Sequence, residues 1–92
     1  QQIDLVELTK LQGQMLQALW PLLKPGGLLL YITCSVFAEE NQKQIQRFCQ
    51  GAMEATIITP PQKWGLDTGY GQQLLPGAEN DGFFYALLQK QQ

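Results

Sequence analysis

The sequence predicts an α/β fold, in which amphipathic helices pack against a sheet of buried strands. Apolar residues recur at helical spacing in the first 22 residues and again after residue 41, whereas residues 28–32 form the uninterrupted apolar run Leu-Leu-Leu-Tyr-Ile. Such a strand is typical of a sheet that is covered on both faces. With 92 residues, 45% of them hydrophobic, the chain is long enough for one small domain with a packed core.

The first helix is predicted to begin near Asp4, which can cap its amino end, with Glu7 three residues later as in a capping box. Pro21 would interrupt the helical hydrogen bonds, so the regular helix is expected to end between residues 19 and 23. The apolar positions that define its core face are Leu5, Leu8, Leu11, Met15, Leu19 and Leu22.

The strand that follows is predicted from Leu28 to Cys34, after a tight Pro-Gly-Gly turn at residues 25–27. Thr33, Cys34 and Ser35 lie at its carboxyl end, where ligands gather in α/β sheets. Cysteine is among the most often buried residue types, so position alone favours inert packing of Cys34 over a chemical role.

A second helix is predicted to open at Glu39, Glu40 and Asn41, because carboxylates suit the positive end of a helix dipole, and Gly51 suits its carboxyl-terminal cap. Asn41 is the polar member of the inner face, so we expect it to hydrogen-bond to the backbone of the loop after Cys34. The predicted inner face is Asn41, Ile45, Phe48, Cys49 and Ala52.

The last third of the chain alternates strands with irregular sequence. A short strand is predicted from Ala55 to Thr59, stopped by the pair of prolines at 60–61. Residues 62–82 carry no periodic pattern and are interpreted either as a functional or mobile loop or as simple exposed disorder. A final strand is predicted from Phe83 to Leu88, followed by a polar tail.

Composition excludes several classes of function. The net charge is −2, so contact with RNA or DNA would need basic surface from elsewhere. The absence of histidine excludes Ser-His and Cys-His nucleophile systems, and two cysteines are too few to form a zinc site. A Cys34–Cys49 disulfide is not expected, since no secretory signal indicates an oxidising compartment. No apolar run is long enough to span a membrane, and the cytoplasm is the default compartment.

Three segments together resemble a known family. Residues 31–36, Tyr-Ile-Thr-Cys-Ser-Val, followed by Glu-Glu-Asn at 39–41, resemble the catalytic Thr-Cys-Ser segment of RNA (cytosine-C5) methyltransferases. Residues 75–86 resemble the same family's carboxyl-terminal Asp-Gly-Phe-Phe motif. Residues 23–27, Leu-Lys-Pro-Gly-Gly, resemble the turn before strand five of class I methyltransferases. The resemblance covers nearly the whole chain and is strongest to the bacterial Sun-type members, which act on small-subunit ribosomal RNA.

This resemblance implies that residues 1–92 are the C-terminal portion of the catalytic domain of an enzyme that depends on S-adenosyl-L-methionine. The implied fold is the C-terminal part of a class I (Rossmann-like) sheet, in the order helix-strand-helix-strand-strand. Its last strand should run antiparallel, inserted between strands five and six. The implied partner of the intact enzyme is ribosomal RNA.

The resemblance also assigns roles within the site. Cys34 would attack C6 of cytosine, and Thr33 and Ser35 would set the loop through their hydroxyl groups. The bracing role of Asn41 is inferred from helix spacing. The family's glycine-rich loop, its cofactor-binding acidic residues and its Pro-Cys motif do not occur in this sequence. We therefore expect no cofactor-binding residue in this chain, and no methyl transfer by the chain alone.

Two alternatives remain open from the sequence. The Pro-Gly-Gly turn would equally suit another class I methyltransferase, acting on a small molecule or a protein. The chain could also be a non-enzymatic interaction module. In either case the apolar strand at residues 28–33 has no charge or proline to protect its edge, so the chain is expected to self-associate.

Overall fold

The computed structural model describes residues 5–59, 65–74 and 82–91. These ranges hold two α-helices and one five-stranded sheet, which confirms the predicted α/β fold. The elements in chain order are α1 (Leu5–Leu19), a 3₁₀ turn (Trp20–Leu22), β1 (Leu28–Thr33), α2 (Gln42–Gly51), β2 (Ala55–Ile58), β3 (Leu66–Asp67), β4 (Gln72–Leu74) and β5 (Phe83–Lys90).

The last strand, β5, lies at the centre of the sheet. It pairs antiparallel with β1 along one side, where Leu28 faces Gln89 and Thr33 faces Phe84. Along its other side it pairs antiparallel with β2 and then with β4, and β4 pairs with β3. Because β1 and β2 are both antiparallel to β5, they run in the same direction with β5 inserted between them. The predicted insertion of an antiparallel last strand is confirmed.

Both helices cover one face of the sheet and form the core there. The Trp20 and Phe48 rings meet edge to face, with centroids 5.2 Å apart. Lys90 Nζ donates to the carbonyl oxygens of Trp20 at 3.3 Å and Leu23 at 3.0 Å, which ties the end of β5 to the turn after α1. The buried cluster comprises Leu16, Trp20, Ile45, Phe48, Ala52, Phe84, Ala86 and Leu88.

The other face of β1 is open. Leu28, Leu30 and Ile32 are 56%, 56% and 57% exposed, whereas Leu29 and Tyr31 pack against the core. The expectation that this strand is covered on both faces is therefore wrong for the described part of the chain. Alternation along a strand sends every second side chain to the face that the helices do not reach.

The predicted end of the first helix is confirmed, whereas the start of the second helix differs from prediction. Asp4, the expected cap of α1, lies outside the described residues, but α1 ends at Leu19 and Pro21 falls in the 3₁₀ turn, as its missing N–H requires. The second helix begins at Gln42 rather than at the predicted glutamates, because residues 38–41 form a turn before it. Its last residue is the predicted cap Gly51, and the cap position falls on the next residue.

The region predicted to be irregular contains two short strands. Within its described part, β3 and β4 form a hairpin that joins the sheet through β5, so the prediction is wrong for residues 66–74. Gly71 allows this close approach, since a Cβ there would lie 2.5 Å from Phe84 Cζ. Residues 60–64 and 75–81, which include the first seven residues of the family-like segment 75–86, lie outside the described residues. The strand predicted at 55–59 ends one residue earlier, and β5 continues to Lys90.

Neither of the described helices is long and apolar enough to cross a membrane.

Candidate active site at the carboxyl end of β1

Cys34 is the first residue after β1 and its side chain is exposed. Cys49 lies on α2 with intermediate exposure, and burial raises the pKa of its thiol. Both cysteines are free. A thiol must be accessible and must ionise to act as a nucleophile, so Cys34 is better placed for chemistry than Cys49.

Asn41 anchors the loop that follows Cys34. Its side chain is fully buried, at 0% exposure, and accepts a hydrogen bond from Thr33 Oγ1. Its Nδ2 donates to the Ser35 carbonyl oxygen at 2.8 Å and to Gln73 Oε1 at 2.7 Å. The hydrogen bond predicted between Asn41 and the loop backbone is confirmed. The residues on either side of Cys34 are thus held by one buried amide.

Gln73 is a second anchor, which sequence reasoning missed. It lies on β4 with its side chain buried, and its Nε2 donates to the carbonyl oxygens of Ser35 at 3.3 Å and Phe83 at 3.4 Å. The strand that positions it is three residues long and polar, so no local pattern marks it in the sequence.

Glu40 is a third anchor, also missed, since the sequence placed it in the first turn of α2. Its side chain is 5% exposed. Ser35 Oγ donates to Glu40 Oε2 at 2.8 Å, and the Phe37 N–H donates to Ser35 Oγ at 2.9 Å. Gln12 Nε2 donates to Glu40 Oε1 at 2.9 Å, and the Tyr31 hydroxyl donates to the Glu40 carbonyl oxygen at 2.6 Å. Glu40 therefore connects the loop after Cys34 to both α1 and β1.

The surroundings of Tyr31 keep its hydroxyl protonated. Burial raises the pKa of Tyr31 to about 12, the negative charge of Glu40 adds to this effect, and the positive charge of Arg47 opposes it. The phenol therefore remains protonated at neutral pH and keeps donating to the Glu40 carbonyl.

This arrangement presents an exposed thiol on a loop whose flanking residues are fixed to two strands and two helices. It suits nucleophilic attack on an electrophilic carbon, because the thiol is accessible while its neighbours are immobilised. Among the described residues, no cluster of acidic and cysteine side chains could hold a metal ion.

Comparison with known proteins identifies the family. The family model described as 16S rRNA methyltransferase RsmB/F matches residues 1–89. The chain belongs to the RsmB/F family. This membership confirms the resemblance predicted from the Thr-Cys-Ser segment.

Curated relatives in the RsmB/F family give the same assignment. The chain is 51% identical over 88 residues to ribosomal RNA small subunit methyltransferase B of Salmonella dublin, and 51% identical to the protein of the same name from Salmonella arizonae. Each match covers 95% of this chain and 20% of the relative. The chain therefore spans about a fifth of the length of the curated relatives it matches.

Solved structures agree with the fold. The crystal structure of PH0851 superposes with a TM-score of 0.78 at 36% identity, over 98% of this chain and 21% of that one. A methyltransferase homologue from Pyrococcus horikoshii superposes with a TM-score of 0.79 at 27% identity, over 98% of this chain and 33% of that one. These matches support the predicted methyltransferase-type arrangement of the RsmB/F chain.

Proposed function

We propose that residues 1–92 form the C-terminal portion of the catalytic domain of an enzyme that makes 5-methylcytosine in ribosomal RNA. The observation that carries the proposal is the exposed Cys34 thiol at the carboxyl end of β1, within a chain of the RsmB/F family. We propose S-adenosyl-L-methionine as the methyl donor. The proposed compartment is the cytoplasm.

The proposed chemistry uses the thiol twice. The Cys34 thiolate adds to C6 of cytosine, forming an S–C6 bond and moving electron density to C5, which is otherwise a poor nucleophile. C5 then takes the electrophilic methyl group from the sulfonium sulfur of the donor, the electrons of the broken S–CH₃ bond remain on that sulfur as a neutral thioether, and a base removes the C5 proton. The electrons of the broken C5–H bond restore the ring double bond as the C6–S bond breaks and the thiolate leaves. Cysteine suits both steps because its thiolate is a strong nucleophile and also departs.

The roles proposed for the neighbouring residues follow from their contacts. Thr33 Oγ1 accepts a hydrogen bond from the Ser35 N–H at 3.2 Å and donates to Asn41, so it links the end of β1 to the loop. The Ser35 hydroxyl donates to the Glu40 carboxylate, and Asn41 holds the loop by donating to the Ser35 carbonyl oxygen. These three residues position Cys34 and do not themselves react.

The described residues do not fit S-adenosyl-L-methionine by themselves. The carboxyl end of β1 carries a thiol and hydroxyl groups, not the glycine-rich turn and ribose-binding carboxylate that cradle such a cofactor. We therefore propose that the donor is bound by residues outside this chain and that the chain alone does not transfer methyl groups. Isothermal titration of the 92-residue chain should detect no binding of S-adenosyl-L-methionine, and a micromolar affinity would contradict this proposal.

A covalent trap tests the role of Cys34. In a chimera, this chain replaces the matched segment of the Salmonella dublin relative, and the protein is incubated with S-adenosyl-L-methionine and RNA containing 5-fluorocytosine. Fluorine at C5 blocks the final proton removal, so the S–C6 adduct should persist through denaturing electrophoresis. Cys34→Ala should abolish the adduct, whereas the matched control Cys49→Ala should retain it.

Two outcomes would contradict the proposal. A chimera that methylates RNA yet traps no adduct would exclude the covalent route. An adduct that persists in Cys34→Ala would assign the attack to another residue.

A further inference from the structure

Glu40 is a buried carboxylate that is held by hydrogen bonds. Its side chain is 5% exposed, and among the described residues no Lys or Arg forms an ion pair with it. Burying a carboxylate is costly unless hydrogen bonds compensate for the lost water. Here the compensation comes from the Ser35 hydroxyl on one oxygen and the Gln12 amide on the other. The neighbouring Glu39, in contrast, is exposed and pairs with Lys43 at 3.8 Å on the surface.

We infer that Glu40 is a positioning residue for the Cys34 thiol and acts through Ser35. Resting on the function proposed above, the inference gives Glu40 a role that neither the sequence motif nor the family match assigns. The Ser35 hydroxyl donates a hydrogen bond to the Glu40 carboxylate, and the Ser35 oxygen is then free to accept from the Phe37 N–H. The carboxylate thereby fixes the rotation of that hydroxyl and closes the turn that begins directly after Cys34.

Ser35 is held at two points, its carbonyl oxygen and its hydroxyl, by three side chains. Its carbonyl oxygen accepts from Asn41 and Gln73, and its hydroxyl donates to Glu40. With the carbonyl contacts alone, the side chain of Ser35 would be free to rotate, and with the hydroxyl contact alone, its carbonyl group would be free. A reacting group must be placed closely, since a displacement of about 1 Å can cost on the order of a hundredfold in rate. The contact between Glu40 and the Ser35 hydroxyl therefore has a catalytic consequence as well as a structural one.

Two single variants and their combination test whether Glu40 acts through Ser35. In the 92-residue chain, Ser35→Ala and Glu40→Ala should each speed hydrogen exchange of the Phe37 amide by roughly fivefold, the scale of one lost hydrogen bond between neutral groups. The double variant should exchange no faster than Ser35→Ala alone, because both changes remove the same connection. Glu39→Ala is the matched control and should leave this amide unchanged. The Leu88 amide in the core should stay protected in all four proteins.

Kinetics in the chimera provide a readout that loop stability alone would not change. Glu40→Ala should lower kcat for RNA methylation by at least about tenfold with the KM for RNA within twofold, since the residue positions the thiol without touching RNA. The double variant should match Ser35→Ala, and Glu39→Ala should match the unmodified chimera.

Additive effects in the double variant, or an unchanged Phe37 amide in Glu40→Ala, would overturn the inference. Exchange does not depend on methyl transfer. A failure of the covalent trap would thus contradict the proposed function and leave the exchange result interpretable.

Discussion

The buried amide of Asn41 predicts a large loss of stability on truncation. Asn41→Ala removes three side-chain hydrogen bonds, from Thr33 and to Ser35 and Gln73. At about 1 kcal/mol each, their loss amounts to about 3 kcal/mol. The Ser35 carbonyl oxygen keeps its bond from Gln73 Nε2, but Gln73 Oε1 is left buried without its partner, which adds at least about 1 kcal/mol.

The expected change is therefore a fall of about 4 kcal/mol in the free energy of unfolding. Small domains are stable by only about 5–15 kcal/mol, so this variant should be close to unfolding at room temperature. Urea denaturation followed by circular dichroism measures the difference, and it should be run at two protein concentrations because association shifts the apparent stability.

Gln46→Ala is the matched control, since Gln46 is an exposed residue of the same helix. It should change the free energy of unfolding by less than about 0.5 kcal/mol. A loss below about 1 kcal/mol in Asn41→Ala would refute the reasoning, because it would mean that water or a rearranged loop replaces all three bonds.

Two further predictions concern the edge strand and the buried phenol. The chain should self-associate in a light-scattering dilution series, and Leu30→Lys on β1 should weaken that association. The control Met53→Lys changes an 89% exposed residue off the sheet and should leave the association unchanged. A monomer of 10.4 kDa at high concentration would contradict the predicted self-association. Tyr31 has a pKa raised from 10.0 to about 12, so its contribution to stability should be fully present below pH 10 and lost as the pH rises through about 12. After allowance for partial exposure this contribution is roughly 1 kcal/mol, and the stability difference between the unmodified chain and Tyr31→Phe should shrink between pH 9 and pH 11.5; a constant difference would disprove the assignment.

The hydrogen bond from Asn41 to the backbone of the loop could be predicted from helical periodicity. A polar residue one turn before Ile45 on an otherwise apolar helix face must find partners inside, and the loop after β1 is the nearest backbone. The central place of β5 was predicted from family resemblance, and β5 does pair antiparallel with both β1 and β2. Local patterns and a motif were sufficient for these features.

Glu40 and Gln73 could not be predicted, for two different physical reasons. Glu39 and Glu40 are equally suited to a helix start in the sequence. Only the geometry of the turn places Glu39 in solvent and the Glu40 side chain within hydrogen-bond distance of Ser35. Gln73 reaches the site because β4 pairs with β5, where Gln73 lies opposite Phe84, and such pairing depends on non-local contacts that propensity does not encode.

The central position of β5 determines when the sheet can assemble. Residues 83–90 come after every other described strand in the chain, yet they hydrogen-bond to β1, β2 and β4, and Gln89 must reach back to Leu28. Contacts this distant in sequence are slow to form, because the loop entropy is lost before the contacts are gained. During synthesis on the ribosome, the side of β1 that pairs with β5 therefore stays unpaired until β5 has emerged. A chain terminated before residue 83 would lose the strand that joins the sheet together, and chaperones would meet that species as exposed apolar segments.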